Sequence, residues 1–347
     1  MRPYLRKYLA AGALLGILFL PSAPADAQVK KFKMEARSEF WILAYLEGQF
    51  DKKYGIEAEP VTFGTGVEAV EALIGGSIDI SSSGHIPIVT MMTKTKNVLI
   101  AGLYEVNNGS IYKLIVRKDA PYKTLADLRG KRIATRIGTG PYIAFMNYVK
   151  AKGMSGKDFQ ILNSQPAEIV AALESKSVEG AVWFQPTTSI MLWKGFGRIL
   201  ANFDGHARAQ GHWLANRAFA EKNPDTVVRF LAGAFDVQEM LQNNPRVAAQ
   251  LISKGLARRG RQLPPEVVAI GMDEFDWNPV PDPRVLPELG KAFQFLKAAG
   301  RVKGAGEDSR KIAAWVKDPP YERQDHFSPS PDRPQDRKAG GPGVTRD

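Results

Sequence analysis

The chain has 347 residues, 44% of them apolar and 10% aromatic, and no cysteine. That length suits two domains, the apolar content excludes a wholly disordered or collagen-like chain, and the lack of cysteine excludes disulfides, thiolate metal sites and a cysteine nucleophile. Lys+Arg of 47 against Asp+Glu of 36 gives a net charge of +11, which hints at anionic partners and says nothing about fold.

Arg2, Arg6 and Lys7 precede an apolar run over residues 9–20 and the small-residue site Ala25-Asp26-Ala27. The run is shorter than the ~20 residues that span a bilayer. Residues 1–27 therefore read as a secretory signal peptide, with cleavage expected before Gln28 and a short membrane anchor as the alternative. The mature chain is expected to be soluble in a bacterial periplasm, where a large core replaces disulfide staples.

Residues 29–36 read as a strand. A helix is expected over 40–54, with Ile42, Tyr45, Leu46 and Phe50 at three- to four-residue spacing and Gly55 as its left-handed end. A strand at 56–63 follows. Next come a helix at 67–74, stopped by Gly75-Gly76, and a short strand at 78–80. Pro87 sits near the start of the next helix, where its fixed φ is tolerated. Strands alternating with helices at this spacing indicate βαβ units and a parallel sheet.

The pattern recurs 100 residues later. Glu68-Ala69-Val70-Glu71-Ala72-Leu73 compares with Glu168-Ile169-Val170-Ala171-Ala172-Leu173, and Ser77-Ile78-Asp79 with Ser177-Val178-Glu179. Pro87 is echoed by Pro186, and upstream lie a strand at 131–136, a helix at 141–152 ended by Gly153, and a strand at 159–162. Agreement in loops, glycines and prolines favours two similar lobes over chance likeness of amphipathic helices.

Apolar strands at 98–104 and 113–117 carry the chain into the second lobe, and 198–203 is the expected return. The crossings are thus placed near Gly102-Leu103-Tyr104 and Leu200-Ala201-Asn202. The chain is then expected to turn helical. Asn223-Pro224-Asp225 opens one helix, with Val227, Val228, Leu231, Ala234, Phe235 and Leu241 inward. Helices at 245–256, 265–272, 286–299 and 309–316 follow, packing on the first lobe. Arg258, Arg259 and Arg261 read as a solvated helix end rather than a nucleic-acid patch. After residue 319, prolines and mixed charges read as a disordered tail, with a docking arm as the alternative.

Ligands of open α/β sheets sit beyond the carboxyl ends of the strands, where loops meet helix N-termini. In the first lobe those loops offer Ser38, Glu39, Phe40, Trp41, Thr65, Gly66, Ser82, Ser83 and His85. In the second they offer Arg136, Thr139, Gly140, Tyr142, Trp183 and Gln185. Glycines admit backbone N–H groups to a ligand, hydroxyls donate to its oxygens, and aromatic faces supply area. N-capping competes for each hydroxyl, a helix-start acid for Glu39 (which with Arg37 could wall the cleft), and a core role for Trp183. There is no Gly-x-Ser-x-Gly elbow, no His-Glu-x-x-His and no phosphate loop ending in Gly-Lys-Ser/Thr. His85, His206, His212 and His326 are not spaced for a metal. No catalytic residue, metal or cofactor is therefore assigned.

The run Phe63-Gly64, Glu68, Ala72-Leu73-Ile74-Gly75-Gly76-Ser77-Ile78-Asp79-Ile80, then Gly84 and Pro87, resembles the substrate-binding proteins of ABC transporters of the sulfonate/nitrate/taurine type, including their thiamine-pyrimidine-precursor relatives. Val116-Arg117-Lys118-Asp119-Ala120 and Thr124-Leu125-Ala126-Asp127-Leu128-Arg129-Gly130-Lys131-Arg132-Ile133-Ala134 are similar to their second-lobe entry, and Gly138-Thr139-Gly140 to a ligand loop.

Over residues 30–250 the resemblance implies a type II periplasmic binding protein fold. Two doubly wound α/β lobes, joined by two crossing strands, would close on a small ligand. Lobe 1 would comprise 28–104 and 203–318, lobe 2 105–202, and the tail 319–347. The ligand implied is a small organic anion, such as a sulfonate, nitrate or an aromatic acid. A monomer would pass it to an ABC permease and ATPase, with no nucleic acid involved. An enzyme or a ligand-sensing subunit on the same fold is the alternative, although the enzymes that share it depend on cysteine. Lys176 stands where a glycine is expected and Glu179 where an aspartate is. Glu39-Phe40-Trp41 is bulkier and more acidic than the sulfonate binders show, which suits an aromatic ligand or one with an amine as well as an acid.

Overall fold

The computed structural model describes residues 29–92, 95–275 and 277. The expected signal peptide at 1–27, the helices at 286–299 and 309–316, and the tail at 319–347 lie outside the described residues. The first run of elements is β1 (Lys30–Glu35), α1 (Phe40–Glu47), α2 (Phe50–Lys53), β2 (Ile56–Val61), α3 (Gly66–Ile74), β3 (Ile80–Gly84), α4 (His85–Met92) and β4 (Val98–Asn107). The second is β5 (Lys113–Arg117), β6 (Arg132–Thr135), α5 (Gly140–Ala151), β7 (Gln160–Asn163), α6 (Pro166–Glu174), β8 (Gly180–Trp183), α7 (Thr187–Trp193) and β9 (Gly197–Asn202). The chain then forms β10 (Ala209–Asn216), α8 (Arg217–Lys222), α9 (Pro224–Asn243), α10 (Pro245–Ala257) and α11 (Pro265–Met272).

These strands make two five-stranded sheets, ordered β2-β1-β3-β10-β4 and β7-β6-β8-β5-β9. In each, three parallel strands are joined by an antiparallel fourth, so the two lobes repeat one plan. The 100-residue offset is structural: α3 and α6 begin at Gly66 and Pro166, and β3 and β8 at Ile80 and Gly180. The repeated acid has the same task in both copies. Asp79 accepts the Lys33 backbone N–H at 2.8 Å, and Glu179 accepts that of Arg132 at 2.9 Å, so each acid holds a backbone N–H of a strand in its own lobe, β1 or β6. Gly76 turns left-handed at φ +73°, and Lys176 makes the same turn at φ +65° despite its side chain.

Four expectations are corrected. The helix foreseen over 40–54 is two, because Gln49 adopts φ +54° between α1 and α2. The third strand starts at Ile80, which puts Ser81, Ser82 and Ser83 within β3 rather than in a loop. The segment after residue 203 is not immediately helical: β10 inserts between β3 and β4, antiparallel to both. All eight of its residues are buried, so it lacks the alternation that marks a one-sided strand. Finally, the crossings lie at 108–112 and 203–208, since Gly102-Leu103-Tyr104 is inside β4 and Leu200-Ala201-Asn202 pairs with β5. The lobe boundary expected at residue 104 accordingly falls within β4. The two crossings are tied together, Phe203 N–H donating to Tyr112 O at 3.2 Å and Gly205 N–H to Asn108 O at 2.9 Å.

The main core lies between the first sheet and helices α1, α9, α10 and α11, as the amphipathic patterns require. Trp41, Trp213, Tyr45 and Phe230 form its centre, the Trp41 and Trp213 rings meeting edge to face with centroids 6.0 Å apart. Among the described residues no helix is long and apolar enough to cross a membrane.

Candidate functional site

The loop from β1 to α1 is built around a buried charge network. Glu35, fully buried, accepts from Arg37 Nε at 2.5 Å and from both the backbone N–H and the hydroxyl of Ser82. Arg37 also donates through Nη2 to Ser82 O at 2.8 Å and through Nη1 to Glu39. Burial works against the guanidinium charge, but Glu35 and Glu39 outweigh it and hold Arg37 above its usual pKa. Glu39 is the N-cap residue of α1, yet its carboxylate makes no capping bond. It turns instead to Arg37 and to Tyr104, whose hydroxyl donates at 3.3 Å. Burial raises the Glu39 pKa, and Arg37 opposes the rise.

Between the lobes these groups face two adjoining chambers, open to the cleft. Into the first project Glu39, Phe40, Trp41, Thr65, Gly66 and Ser83 from one lobe, and Thr139, Gly140, Trp183 and Gln185 from the other. The first turns of α3 and α5 thus open onto one space from opposite sides. Gly66 is required there by proximity: a Cβ would stand 2.7 Å from Ser83 Oγ, which is itself buried without a hydrogen-bond partner. A Cβ on Gly140 would strike the Tyr112 ring. Ser38 lines the second chamber, together with Gln165, Thr187 and Arg261.

The remaining expected residues lie elsewhere. Ser82 is locked behind the wall in the Glu35–Arg37 network. His85 is buried as the first residue of α4. Tyr142 packs across the cleft on the first lobe's Val70–Leu214 cluster. Arg136 reaches Glu68 at 3.7 Å, and Gln165 donates to the same carboxylate. Glu68 meanwhile accepts the Gly64 and Thr65 backbone N–H groups at 3.0 and 3.2 Å, so one acid both caps α3 and ties the lobes together.

Sequence reading passed over Tyr104 and Glu105 on β4, Tyr112 and Ile111 on the crossing, and Phe275 and Trp277 after α11, all lining the first chamber. Glu105, directly after the apolar run of β4, was the available signal. Its carboxyl is buried, and burial, then Glu39, pushes its pKa up to about 8 while Arg37 pulls the other way. Phe275 and Trp277 stack with centroids 4.6 Å apart, and Phe275 meets Phe40 at 5.7 Å. Trp183 stacks on Phe184 at 5.3 Å and is only 6% exposed, so it is at once a chamber wall and part of a small core.

Comparison with known proteins bears on this arrangement. The chain is 25% identical over 268 residues to the putative aliphatic sulfonates-binding protein of Escherichia coli (strain K12), covering 77% of this chain and 82% of the relative. It is 26% identical over 209 residues to the taurine-binding periplasmic protein of the same organism, covering 59% of this chain and 64% of that protein. Among solved structures, the alkanesulfonate-binding protein of Xanthomonas axonopodis pv. citri bound to MOPS superposes with a TM-score of 0.70 at 21% identity, over 80% of this chain and 96% of that one. That likeness establishes the periplasmic binding protein fold that the paired sheets describe. The family model described as NMT1/THI5 like matches residues 41–248, from α1 through both lobes into α10, and the chain belongs to that family.

Proposed function

We propose that this chain is a periplasmic solute-binding protein that captures a small organic molecule between its lobes and delivers it to an ABC permease and its ATPase. The observation that carries this reading is the cleft itself. Helix N-termini, hydroxyls and aromatic rings from two similar lobes converge on one space, and among the described residues two adjacent crossings join the lobes. Such a layout lets the lobes move as units about the crossings. The relatives named for sulfonate and taurine binding support a binding role rather than catalysis.

Closure on ligand follows from the same layout. Glu68, Gln165, Arg136 and Tyr142 already touch across the cleft and are contacts that a closed form would keep. The test is a thermal-shift screen of sulfonates, nitrate, amino acids, aromatic acids and pyrimidines, followed by X-ray scattering with any hit. A ligand at ~100 times its Kd adds ~2.7 kcal/mol of stability. A hit that compacts the protein supports the reading, and identical scattering at saturation counts against closure.

A further inference from the structure

The carboxylates of the first chamber outnumber its cations. Resting on the solute-binding reading above, we propose that the ligand carries a protonated nitrogen and that the Glu105 carboxylate receives it. The Arg37 guanidinium is held by Glu35, Ser82 and Glu39. Lys113 is paired with Glu274. Glu105 is 8% exposed and lines the chamber, and among the described residues it has neither a hydrogen-bond partner nor an ion-pair partner.

Taken out of water without a partner, Glu105 keeps its proton until about pH 8, and a cationic donor is the group that offsets the cost of ionising it most fully. The charged and titratable neighbours acting on Glu105 sharpen the point. Glu39 repels its negative form and the committed Arg37 only partly compensates. Tyr104 and Tyr112 stand beside it, both with pKa values raised by burial, and so remain neutral. Ring faces complete the environment: Tyr104, Tyr112, Phe275 and Trp277 share the chamber, and aromatic faces attract an ammonium group. An acid on the same ligand is better placed at the first turns of α3 and α5, where helix N-termini favour negative charge.

Matched probes test this on the full chain by isothermal titration. Ethanesulfonate is compared with 2-aminoethanesulfonate, and benzenesulfonate with 4-(aminomethyl)benzenesulfonate, on the wild type and on Glu105→Gln. The expected result is that each amine-bearing probe binds about ten- to hundredfold more tightly than its plain partner, and that Glu105→Gln erases the preference. The wild-type comparison needs no variant and stands even if the variant folds poorly. Plain sulfonates binding as tightly as their amine-bearing partners, or a preference that survives Glu105→Gln, would overturn the assignment while leaving the solute-binding reading intact. If no probe binds and the broad screen is also blank, both fall.

Discussion

Replacing Glu105 by Gln tests the electrostatics of the cleft without any ligand. In the folded chain burial, followed by the Glu39 charge, pushes the Glu105 pKa from its ordinary 4.5 up to about 8. The folded state therefore binds more protons than the unfolded state between those values. Stability contributed at this position is intact below about pH 4.5, falls as pH rises through the window, and levels off above about pH 8. At about 1.4 kcal/mol per pH unit, the whole fall is of the order of 5 kcal/mol. Gln keeps the shape and cannot ionise. Urea unfolding of both proteins from about pH 5 to about pH 9 should show the variant gaining a few kcal/mol on the wild type as pH rises. Arg37 stays charged and Tyr104 and Tyr112 stay neutral across this range in both proteins, so the difference reports Glu105 together with its coupling to Glu39. A difference that stays constant with pH would refute the reasoning.

Trp183→Ala should lower both quantities at once, because the ring is both wall and core: about 3 kcal/mol of stability and about 1–3 kcal/mol of affinity for a screened ligand. A destabilised protein with unchanged affinity would remove Trp183 from the site. Gly109→Ala places a Cβ 2.9 Å from Ala207 O, at φ +101°, where the two crossings touch, and should cost about 2 kcal/mol or more in chemical denaturation. A neutral result would mean the crossings yield easily. Lys176→Gly relieves a left-handed residue and gives up only its exposed pair with Asp119, so the unfolding midpoint should rise by the equivalent of about 0.5–1 kcal/mol. Gln165→Ala removes the donor to Glu68 from the second lobe, and scattering of the ligand-free variant should show a larger radius of gyration than the wild type. Equal radii would show that this tie does not hold the lobes together.

Much of the fold was legible because local rules acted without competition. The 100-residue repeat located α3 and α6, since each copy needs the same capping acid and the same left-handed turn. Helix α11 matched its expected ends, opened by Pro265 and closed after Met272. Strand β10 was illegible for the opposite reason. Ala209-Gln210-Gly211-His212-Trp213-Leu214-Ala215-Asn216 has no alternation and few β-formers, and is a strand because β3 and β4 flank it.

By itself, the sequence determined that this chain builds two similar α/β lobes, and that Glu39, Phe40, Trp41, Thr65, Gly66, Thr139, Gly140, Trp183 and Gln185 lie near the carboxyl ends of strands or in the first turns of the helices that follow. Those are local facts, written in periodicity and in turn and capping residues within each unit. Only the tertiary structure decided which loops meet across the cleft, that Arg37 is spent on Glu35 and Glu39, and that Glu105 has no partner among the described residues and sits among rings from β4, the crossing and the segment after α11. Charge balance and burial at a site are sums over residues far apart in the chain, and no local pattern carries that sum.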